Sequence, residues 1–261
     1  PDNLFYSQGF KFKVTGVNTF EWADKDNLHE KRFCSECDHI EQASTAPAGP
    51  CPKCGSATFG AASNVHKFAR MTSVRSYNDR LGATLSDSKE DREKVNYNTQ
   101  AHFHMDPKGS RGGYAMKEIP FGIEFVKNVR ITSTNLGNTK TVNARKSTVN
   151  EREVATHGFV TCKHCGRSTS DPQHRDLRGK VHYGYCKHKE DAYANAPNEV
   201  FEEIFFYREV TTEAMKILLP VQEFNTEAEV KMFQAGIQLG LKKYYRGSPD
   251  HIHLAPYKEY N

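Results

Sequence analysis

The sequence is short of apolar residues and has no long apolar run. Of its 261 residues, 37% are hydrophobic, the mean hydropathy is −0.74, and there is one tryptophan. No segment approaches the ~18 consecutive apolar residues that a membrane-spanning helix needs, so we expect no membrane partner. A core drawn from so few apolar residues is thin, and metal crosslinks would offset that shortage.

A strong excess of one charge is also absent. Lys and Arg total 36 against 32 Asp and Glu, which gives a net charge of +4 and a pI of about 8.6. This balance is compatible with a nucleic-acid partner and does not require one. Charge alone therefore leaves DNA binding and an ordinary basic protein surface equally open.

Cysteine is the residue type that is concentrated. All seven cysteines lie in two short stretches, 34–54 and 162–186. A disulfide framework normally uses an even number of cysteines, whereas paired Cys-x2-Cys motifs in a reducing compartment are typical of zinc sites. The pattern predicts a cytoplasmic protein with two structural zinc ions.

The first cysteine stretch has the spacing of a zinc ribbon. Cys34-x2-Cys37 is followed after thirteen residues by Cys51-x2-Cys54. Each pair forms a tight turn that points two thiolates at one spot, and two such turns complete a tetrahedron. Gly55 follows the second pair, where the turn favours a positive φ. We predict that these four cysteines hold one zinc ion.

The second stretch supplies three cysteines, Cys162, Cys165 and Cys186, and needs a fourth ligand. A neutral imidazole serves zinc as well as a thiolate does. Spacing favours the histidine four residues before Cys186, because both side chains can then turn inward. Three histidines are candidates, in order of preference His182, His188 and His174.

A basic loop connects the ligands of the second stretch. Arg167, Arg175, Arg178 and Lys180 lie in it, against few acidic residues. Clustered Lys and Arg side chains contact phosphates in nucleic-acid complexes. We predict that these four residues bind DNA.

Alternating and β-branched stretches predict a mostly β protein of the α+β class. Strands are expected at 119–126 paired with 129–132, at 203–209, at 215–219 and as a return strand at 251–254. Thr226 and Glu229 form a capping box for one helix, which completes a C-terminal β-β-α-β unit. The chain divides into 1–60 with the first zinc ribbon, 61–155 as a β-rich middle segment, and 156–261 with the second zinc site and the α+β unit.

Two stretches imitate catalytic motifs without completing them. His102, His104 and Asp106 resemble the start of a dinuclear hydrolase motif whose final histidine is missing. His39-x-Glu41 followed by Cys51-x2-Cys54 imitates a zinc deaminase, but leaves Cys34 and Cys37 without a role. A zinc enzyme built on the first of these stretches is kept as a minor hypothesis, and no catalytic residue is assigned.

Several segments, taken in this order, carry a resemblance to a known family. They are Phe10–Val14, the cysteines from Cys34 to Cys54, Asp91–Glu93, Pro120–Phe125, Cys162–Gly166 with His182-x3-Cys186, Thr212–Pro220, Gly240-Leu241 and Gly247–His251. The chain resembles the zinc-binding C-terminal region of large superfamily 2 DEAD/DEAH-box helicases. That group includes MrfA-like repair helicases and the DISARM and Druantia anti-phage systems.

The resemblance implies a bacterial cytoplasmic protein that works on DNA beside an ATP-driven motor, in the same chain or in a partner subunit. No nucleotide-binding loop or helicase box is found here. We therefore expect a zinc-binding accessory region of a DNA helicase or translocase, active in anti-phage defence or DNA repair, that binds DNA or docks a partner. The alternative is a protein-interaction scaffold that makes no contact with DNA.

Overall fold

Strands make up most of the regular structure. The computed structural model of the chain describes residues 4–8, 10–19, 28–44, 49–78, 97–118, 121–138, 146–149, 152–155, 157–170, 182–183, 185–187, 200–218, 226–246, 254–255 and 257. Over these residues the protein is mostly β with one C-terminal α-helix, and it has two cysteine-rich clusters. This confirms the predicted fold class.

The described elements are named in chain order. The strands are β1 Leu4–Ser7, β2 Phe10–Val17, β3 Leu28–Phe33, β4 Ile40–Gln42, β5 Val65–Arg70, β6 Val74–Asn78, β7 Tyr97–His104, β8 Ser110–Ala115, β9 Gly122–Asn138, β10 Lys146–Val149, β11 Arg152–Ala155, β12 Phe159–Cys162, β13 Ser168–Thr169 and β14 Val200–Leu218. The helix α1 is Glu227–Tyr245.

The chain forms two compact units that interleave along the sequence. Unit 1 comprises Pro1–His102 and Ile131–Val210, and unit 2 comprises Phe103–Arg130 and Thr211–Asn261. Both cysteine-rich clusters belong to unit 1. The three consecutive segments drawn from the sequence remain a prediction.

The central sheet of unit 1 is organised around the first half of β14. The strand order is β13-β12-β14-β5-β3-β4. β14 runs parallel to β5, with Phe205 opposite Phe68, and antiparallel to β12 on its other side. A second, three-stranded sheet has the order β1-β2-β6. β14 therefore separates two hairpins, β12-β13 and β3-β4, which carry the two cysteine-rich clusters at their turns.

Both faces of β14 are buried over residues 204–207, in its first half, which explains the uninterrupted apolar run there. Phe205 and Tyr207 point to one side and pack with Phe33, Phe68 and Leu136. Ile204 and Phe206 point to the other and pack with Val17, Ala69 and Phe159. Strands covered on both faces read as continuous hydrophobic segments rather than alternating ones. Full burial of each such side chain contributes about 1.5–3 kcal/mol.

Two predicted strand pairs are single long strands. Residues 203–209 and 215–218 belong to one strand, β14, and residues 122–126 and 129–132 belong to one strand, β9. Residues 119, 120 and 219 lie outside the described part of the chain. The break expected near residue 128 is absorbed inside β9, because Asn128 adopts a φ of 57° without ending the strand. Asparagine tolerates this left-handed conformation better than most residues.

Unit 2 contains β8, the first half of β9, the second half of β14 and α1. Lys127 pairs with Glu213, and Lys216 pairs with Glu124 at 3.2 Å. The predicted return strand at 251–254 lies almost entirely outside the described residues.

The helix α1 begins at the predicted capping box. The Thr226 hydroxyl accepts a hydrogen bond from the Glu229 amide, and the Glu229 carboxylate accepts one from the Thr226 amide. A reciprocal cap satisfies two amides that a helix start otherwise leaves unpaired. At Gly236 and Gly240 of this helix, an added Cβ would meet nothing within 4 Å.

Candidate metal centres

The first cluster consists of Cys34, Cys37, Cys51 and Cys54, and two backbone turns position it. Cys34 and Cys37 lie in the turn that joins β3 to β4, where the Cys34 amide donates to the His39 carbonyl at 3.0 Å. The second turn precedes β5. There the Cys51 amide donates to the Ser56 carbonyl at 2.9 Å, and the Gly55 amide donates back to the Cys51 carbonyl at 2.8 Å.

The four sulfur atoms of the first cluster have the separations of a tetrahedral metal site. Cys34 Sγ lies 3.5 Å from Cys54 Sγ, and Cys37 Sγ lies 3.6 Å from Cys51 Sγ. All four sulfurs lie within 4.8 Å of one another. A disulfide would require about 2.05 Å, whereas thiolates about 2.3 Å from one tetrahedral metal lie roughly 3.8 Å apart. The cluster could therefore hold a metal ion.

Backbone amides favour the thiolate form in this cluster. The amides of Glu36 and His39 donate to Cys34 Sγ and Cys37 Sγ, each at 3.4 Å. The neighbouring Cys37 thiol lowers the pKa of Cys34 to about 5, while the same contact raises the pKa of Cys37. Burial raises the pKa of Cys51 to about 11. A bound cation would favour the deprotonated form of the thiols that hold it.

Side chains around the first cluster brace it against β7 and β9. Asp38 follows the ligand Cys37, and its carboxylate pairs with Lys53 from the second turn. The Asp38 carbonyl accepts a hydrogen bond from His102 Nδ1 at 2.8 Å. His102 is 2% exposed, and its Nε2 lies 3.3 Å from the Thr134 hydroxyl. The sequence pattern did not predict this bracing role.

The second cluster consists of Cys162, Cys165, His182 and Cys186. Cys162 ends β12, and Cys165 lies in the turn that leads to β13. The Cys162 amide donates to the Arg167 carbonyl at 3.0 Å, and the Gly166 amide donates to the Cys162 carbonyl at 2.9 Å. This repeats, residue for residue, the backbone pattern around Cys51.

All four members of the second cluster are buried and converge on one point. Cys162 Sγ lies 3.9 Å from Cys186 Sγ. His182 Nδ1 lies 3.4 Å from Cys186 Sγ and 3.7 Å from Cys165 Sγ. The neighbouring Cys162 thiol lowers the pKa of Cys165 to about 3, and that contact raises the pKa of Cys162. These four groups could hold a second metal ion.

The structure places the eight predicted metal ligands in two clusters of four. His182, the preferred candidate for the fourth position of the second cluster, lies inside that cluster. His188 and His174 lie outside the described residues, so their positions relative to the cluster are not compared. The spacing that favoured His182 does place its Nδ1 atom close to Cys186 Sγ.

Only one of the four predicted DNA contacts lies within the described residues. The Arg167 guanidinium lies 5.5 Å from the centre of the Tyr183 ring. Arg175, Arg178 and Lys180 fall outside the described part of the chain. The prediction that this loop binds DNA stays a prediction.

Glycine joins the second cluster to the β1-β2-β6 sheet. Gly16 of β2 forms a bridge with Arg167, and the Val17 amide donates to the Gly166 carbonyl at 2.9 Å. A Cβ on Gly16 would lie 2.5 Å from the Gly166 carbonyl oxygen, and a Cβ on Gly166 would lie 1.9 Å from the Val17 carbonyl oxygen. No larger residue fits at either position without movement of the backbone.

The two imitations of catalytic motifs have structural explanations. Both ring nitrogens of His102 have protein partners, and burial lowers its pKa to about 4. Asp106 accepts a hydrogen bond from the Lys108 amide and caps a short 3₁₀ turn. The His39 imidazole pairs with the Glu41 carboxylate at 3.3 Å. None of these groups joins either metal cluster.

Among the described helices, none has both the length and the apolar character needed to cross a bilayer. Comparison of the chain with family models, curated proteins and solved structures gave no match in any of the three.

Proposed function

We propose that the protein is a structural zinc-binding module that acts as an accessory region of a DNA helicase or translocase. The observation that carries this proposal is the pair of closed four-ligand clusters. Cys34, Cys37, Cys51 and Cys54 would hold one zinc ion, and Cys162, Cys165, His182 and Cys186 the other. Sets rich in thiolate with tetrahedral geometry select zinc over calcium, magnesium or manganese.

Each zinc ion would have four protein ligands and no coordination position left for water. Catalytic zinc sites typically have three protein ligands and an open position that activates water. A closed site instead contributes binding free energy to folding. The two zinc ions would therefore stabilise the hairpins on either side of β14, and they would perform no chemistry.

The accessory role draws on charge and on the resemblance described above. The loop between Arg167 and Lys189 is rich in Lys and Arg and would lie against phosphates. The motor would be supplied by another domain or subunit, in the bacterial cytoplasm, in anti-phage defence or DNA repair. The module would hold DNA while that motor moves.

The DNA role is tested by titrating labelled DNA with the zinc-loaded chain over a range of salt concentrations. Reversing the charge of Arg175, Arg178 and Lys180 together should weaken binding and flatten its salt dependence, since each lost phosphate contact lowers the slope by about 0.9 on a duplex. Equal affinity and equal slope in the triple variant would remove this loop from the account.

A protein-interaction scaffold is the second candidate, and one observation favours it. The helix α1 exposes large apolar side chains: Met232 is 73%, Leu239 69% and Tyr244 79% exposed. Exposed apolar patches often mark binding sites for other proteins. A chain that binds neither single-stranded nor duplex DNA at any salt concentration, and still captures the helicase subunit, would support the scaffold.

A further inference from the structure

One face of the β1-β2-β6 sheet combines lysine, arginine and tyrosine. Lys13 of β2 pairs with Tyr77 of β6. Arg75 lies two residues before Tyr77 on β6, and it pairs with Gly16 because the register of β2 shifts by one residue between Val14 and Gly16. Residues directly opposite each other, and residues two apart on a strand, share a face of the sheet. Lys11, Lys13, Arg75 and Tyr77 therefore project from the same face.

The loop of the second cluster adds a further tyrosine to this face. Arg75 donates a hydrogen bond to the Tyr185 hydroxyl at 2.5 Å. Tyr185 stacks on Tyr183 with the ring planes at 10° and the centroids 5.6 Å apart. The Tyr183 hydroxyl lies 2.6 Å from that of Thr15, and Arg167 covers the Tyr183 ring. The loop is therefore held against the sheet by several polar contacts.

We call the set Lys11, Lys13, Arg75, Tyr77 and Tyr185 the aromatic-basic face. Tyr77 is 59% and Tyr185 62% exposed, and Lys13 is exposed as well, whereas Lys11 and Arg75 are half-buried. No acidic residue occurs in β1, β2 or β6. A patch with this composition attracts polyanions, and its flat rings remain open to contact.

We propose that the aromatic-basic face binds single-stranded nucleic acid, with bases stacked on Tyr77 and Tyr185 and phosphates held by Lys11, Lys13 and Arg75. Proteins that bind single strands combine cationic side chains along the backbone with aromatic side chains under the bases. In a duplex the base faces are already stacked, so only an unpaired strand can use both tyrosines. This proposal rests on the proposed DNA role and names the form of nucleic acid involved.

An acidic peptide is the competing occupant, and the rings argue against it. Lysine and arginine side chains alone would serve an acidic peptide as well as a phosphate backbone. Two exposed tyrosines, one of them stacked on a second ring and oriented by an arginine, give flat surfaces that carboxylates do not use. Stacked bases use them fully.

The experiment measures binding of the zinc-loaded chain to fluorescent oligonucleotides by anisotropy. Four probes are compared: single-stranded DNA of about 12 nucleotides, within the site sizes known for such surfaces, the same sequence as RNA, the same sequence as a duplex, and polyglutamate. The variants are Tyr77→Ala, Tyr185→Ala and Tyr185→Phe. Tyr114→Ala is the matched control, because Tyr114 is a strand tyrosine in unit 2 with 77% exposure.

We expect single strands to bind more tightly than the duplex and polyglutamate. Loss of a stacking ring should weaken single-strand binding about 5- to 100-fold in Tyr77→Ala and Tyr185→Ala. Tyr185→Phe and Tyr114→Ala should stay within about twofold of the parent, since the first keeps its ring and the second lies elsewhere. Lys11→Glu combined with Lys13→Glu should reduce the salt slope by about 1.4.

Because Tyr185 lies between two proposed zinc ligands, zinc content is measured for each of its variants, and Tyr77→Ala tests the face independently of that loop. Parent-like affinity in both alanine variants would overturn the proposal, as would polyglutamate binding as tightly as the single strand. If the Arg175, Arg178 and Lys180 reversal abolishes DNA binding while the tyrosine variants bind normally, the proposed DNA role stands and this inference fails. If no nucleic acid binds at all, both fail.

Discussion

The two clusters share one turn and differ in what surrounds it. In both turns, the amide of Cys51 or Cys162 donates to the carbonyl five residues later. The amide of the glycine four residues later donates back to the carbonyl of that cysteine. Gly55 and Gly166 have φ values of 76° and 72°. A Cβ added to Gly55 would meet no atom within 4 Å, whereas Gly166 packs against Val17 of β2. The same turn therefore only positions cysteines in the first cluster, whereas in the second it also joins the cluster to the β1-β2-β6 sheet.

The clusters also differ in how they are braced. The first contains four cysteines from two turns and is held from outside by His102 and by the Asp38–Lys53 ion pair. The second contains one such turn plus His182 and Cys186, and it holds β2 through Gly166 and Tyr183. We infer that loss of the first site loosens β3, β4 and β5, whereas loss of the second releases the β1-β2-β6 sheet.

The largest expected effect comes from removing a ligand of the second cluster. His182→Ala should lose one zinc ion of two and destabilise unit 1 by several kcal/mol, because a structural zinc contributes on the order of 10 kcal/mol to folding. His182→Cys should keep two zinc ions, since a thiolate completes the same tetrahedron. Zinc per chain and thermal unfolding are the measurements. If His182→Ala lost both ions, the two sites would not bind metal independently.

A glycine pair tests the difference between the two turns directly. Gly55→Ala and Gly166→Ala both introduce strain at positive φ, which costs roughly 1–2 kcal/mol. Gly166→Ala also forces a Cβ against the Val17 carbonyl, so its total cost should exceed about 3 kcal/mol. Urea unfolding of the two variants gives the comparison. Equal destabilisation would mean that Gly166 does not join β2 to the cluster.

The bracing of the first cluster is tested at His102. His102→Phe keeps a ring beside Phe33, on which His102 stacks, but leaves the buried Asp38 carbonyl without its donor. Loss of a buried partner costs about 1–3 kcal/mol. His104→Phe, two residues further along β7 at an exposed position, is the control and should unfold as the parent does. A parent-like His102→Phe would remove this brace from the comparison.

The same residue predicts a pH dependence. Burial lowers the pKa of His102 to about 4, below the ~6.5 of an unfolded chain. As the pH falls, the unfolded chain takes up the proton first, so this contribution is full above about pH 6.5 and is lost as the pH falls to about 4. The loss of stability over this window should be less steep in His102→Phe than in His104→Phe. Parallel profiles of urea midpoint against pH would contradict this assignment.

The smallest effect concerns the attachment of the second loop to β2. Thr15→Val and Tyr183→Phe each remove one partner of the 2.6 Å hydrogen bond between these side chains. Each should cost about 1 kcal/mol. The double variant should cost less than the sum, because both changes remove the same interaction. Additive losses in the free energy of unfolding across the double-mutant cycle would show that this hydrogen bond does not stabilise the attachment.

Local patterns in the sequence predicted the parts of the structure that depend on few residues. A Cys-x2-Cys-Gly turn determines its own hydrogen bonds, and Thr226 with Glu229 determines the start of α1. The lengths of β9 and β14 could not be predicted, because polar stretches inside them are stabilised by partners on other strands. The contact of Gly16 with Gly166 joins segments 150 residues apart, and a single sequence carries no sign of that pairing.

The bracing residues were missed for a related reason. His102 looked like part of a hydrolase motif because its neighbours His104 and Asp106 are common metal ligands. Its actual partners, Asp38 and Thr134, are distant in sequence and bind it through a carbonyl and a hydroxyl. The sequence pattern assigned no role to Tyr183 and Tyr185, which contact Thr15 and Arg75.

Two independent metal ions are proposed to hold unit 1 together. The direct measurement is zinc per chain by elemental analysis, followed by circular dichroism during thermal unfolding before and after exhaustive chelation. We predict two zinc ions per chain and loss of the cooperative transition when they are removed. A chain that contains no metal after expression with zinc, and unfolds at the same temperature with or without chelator, would contradict it.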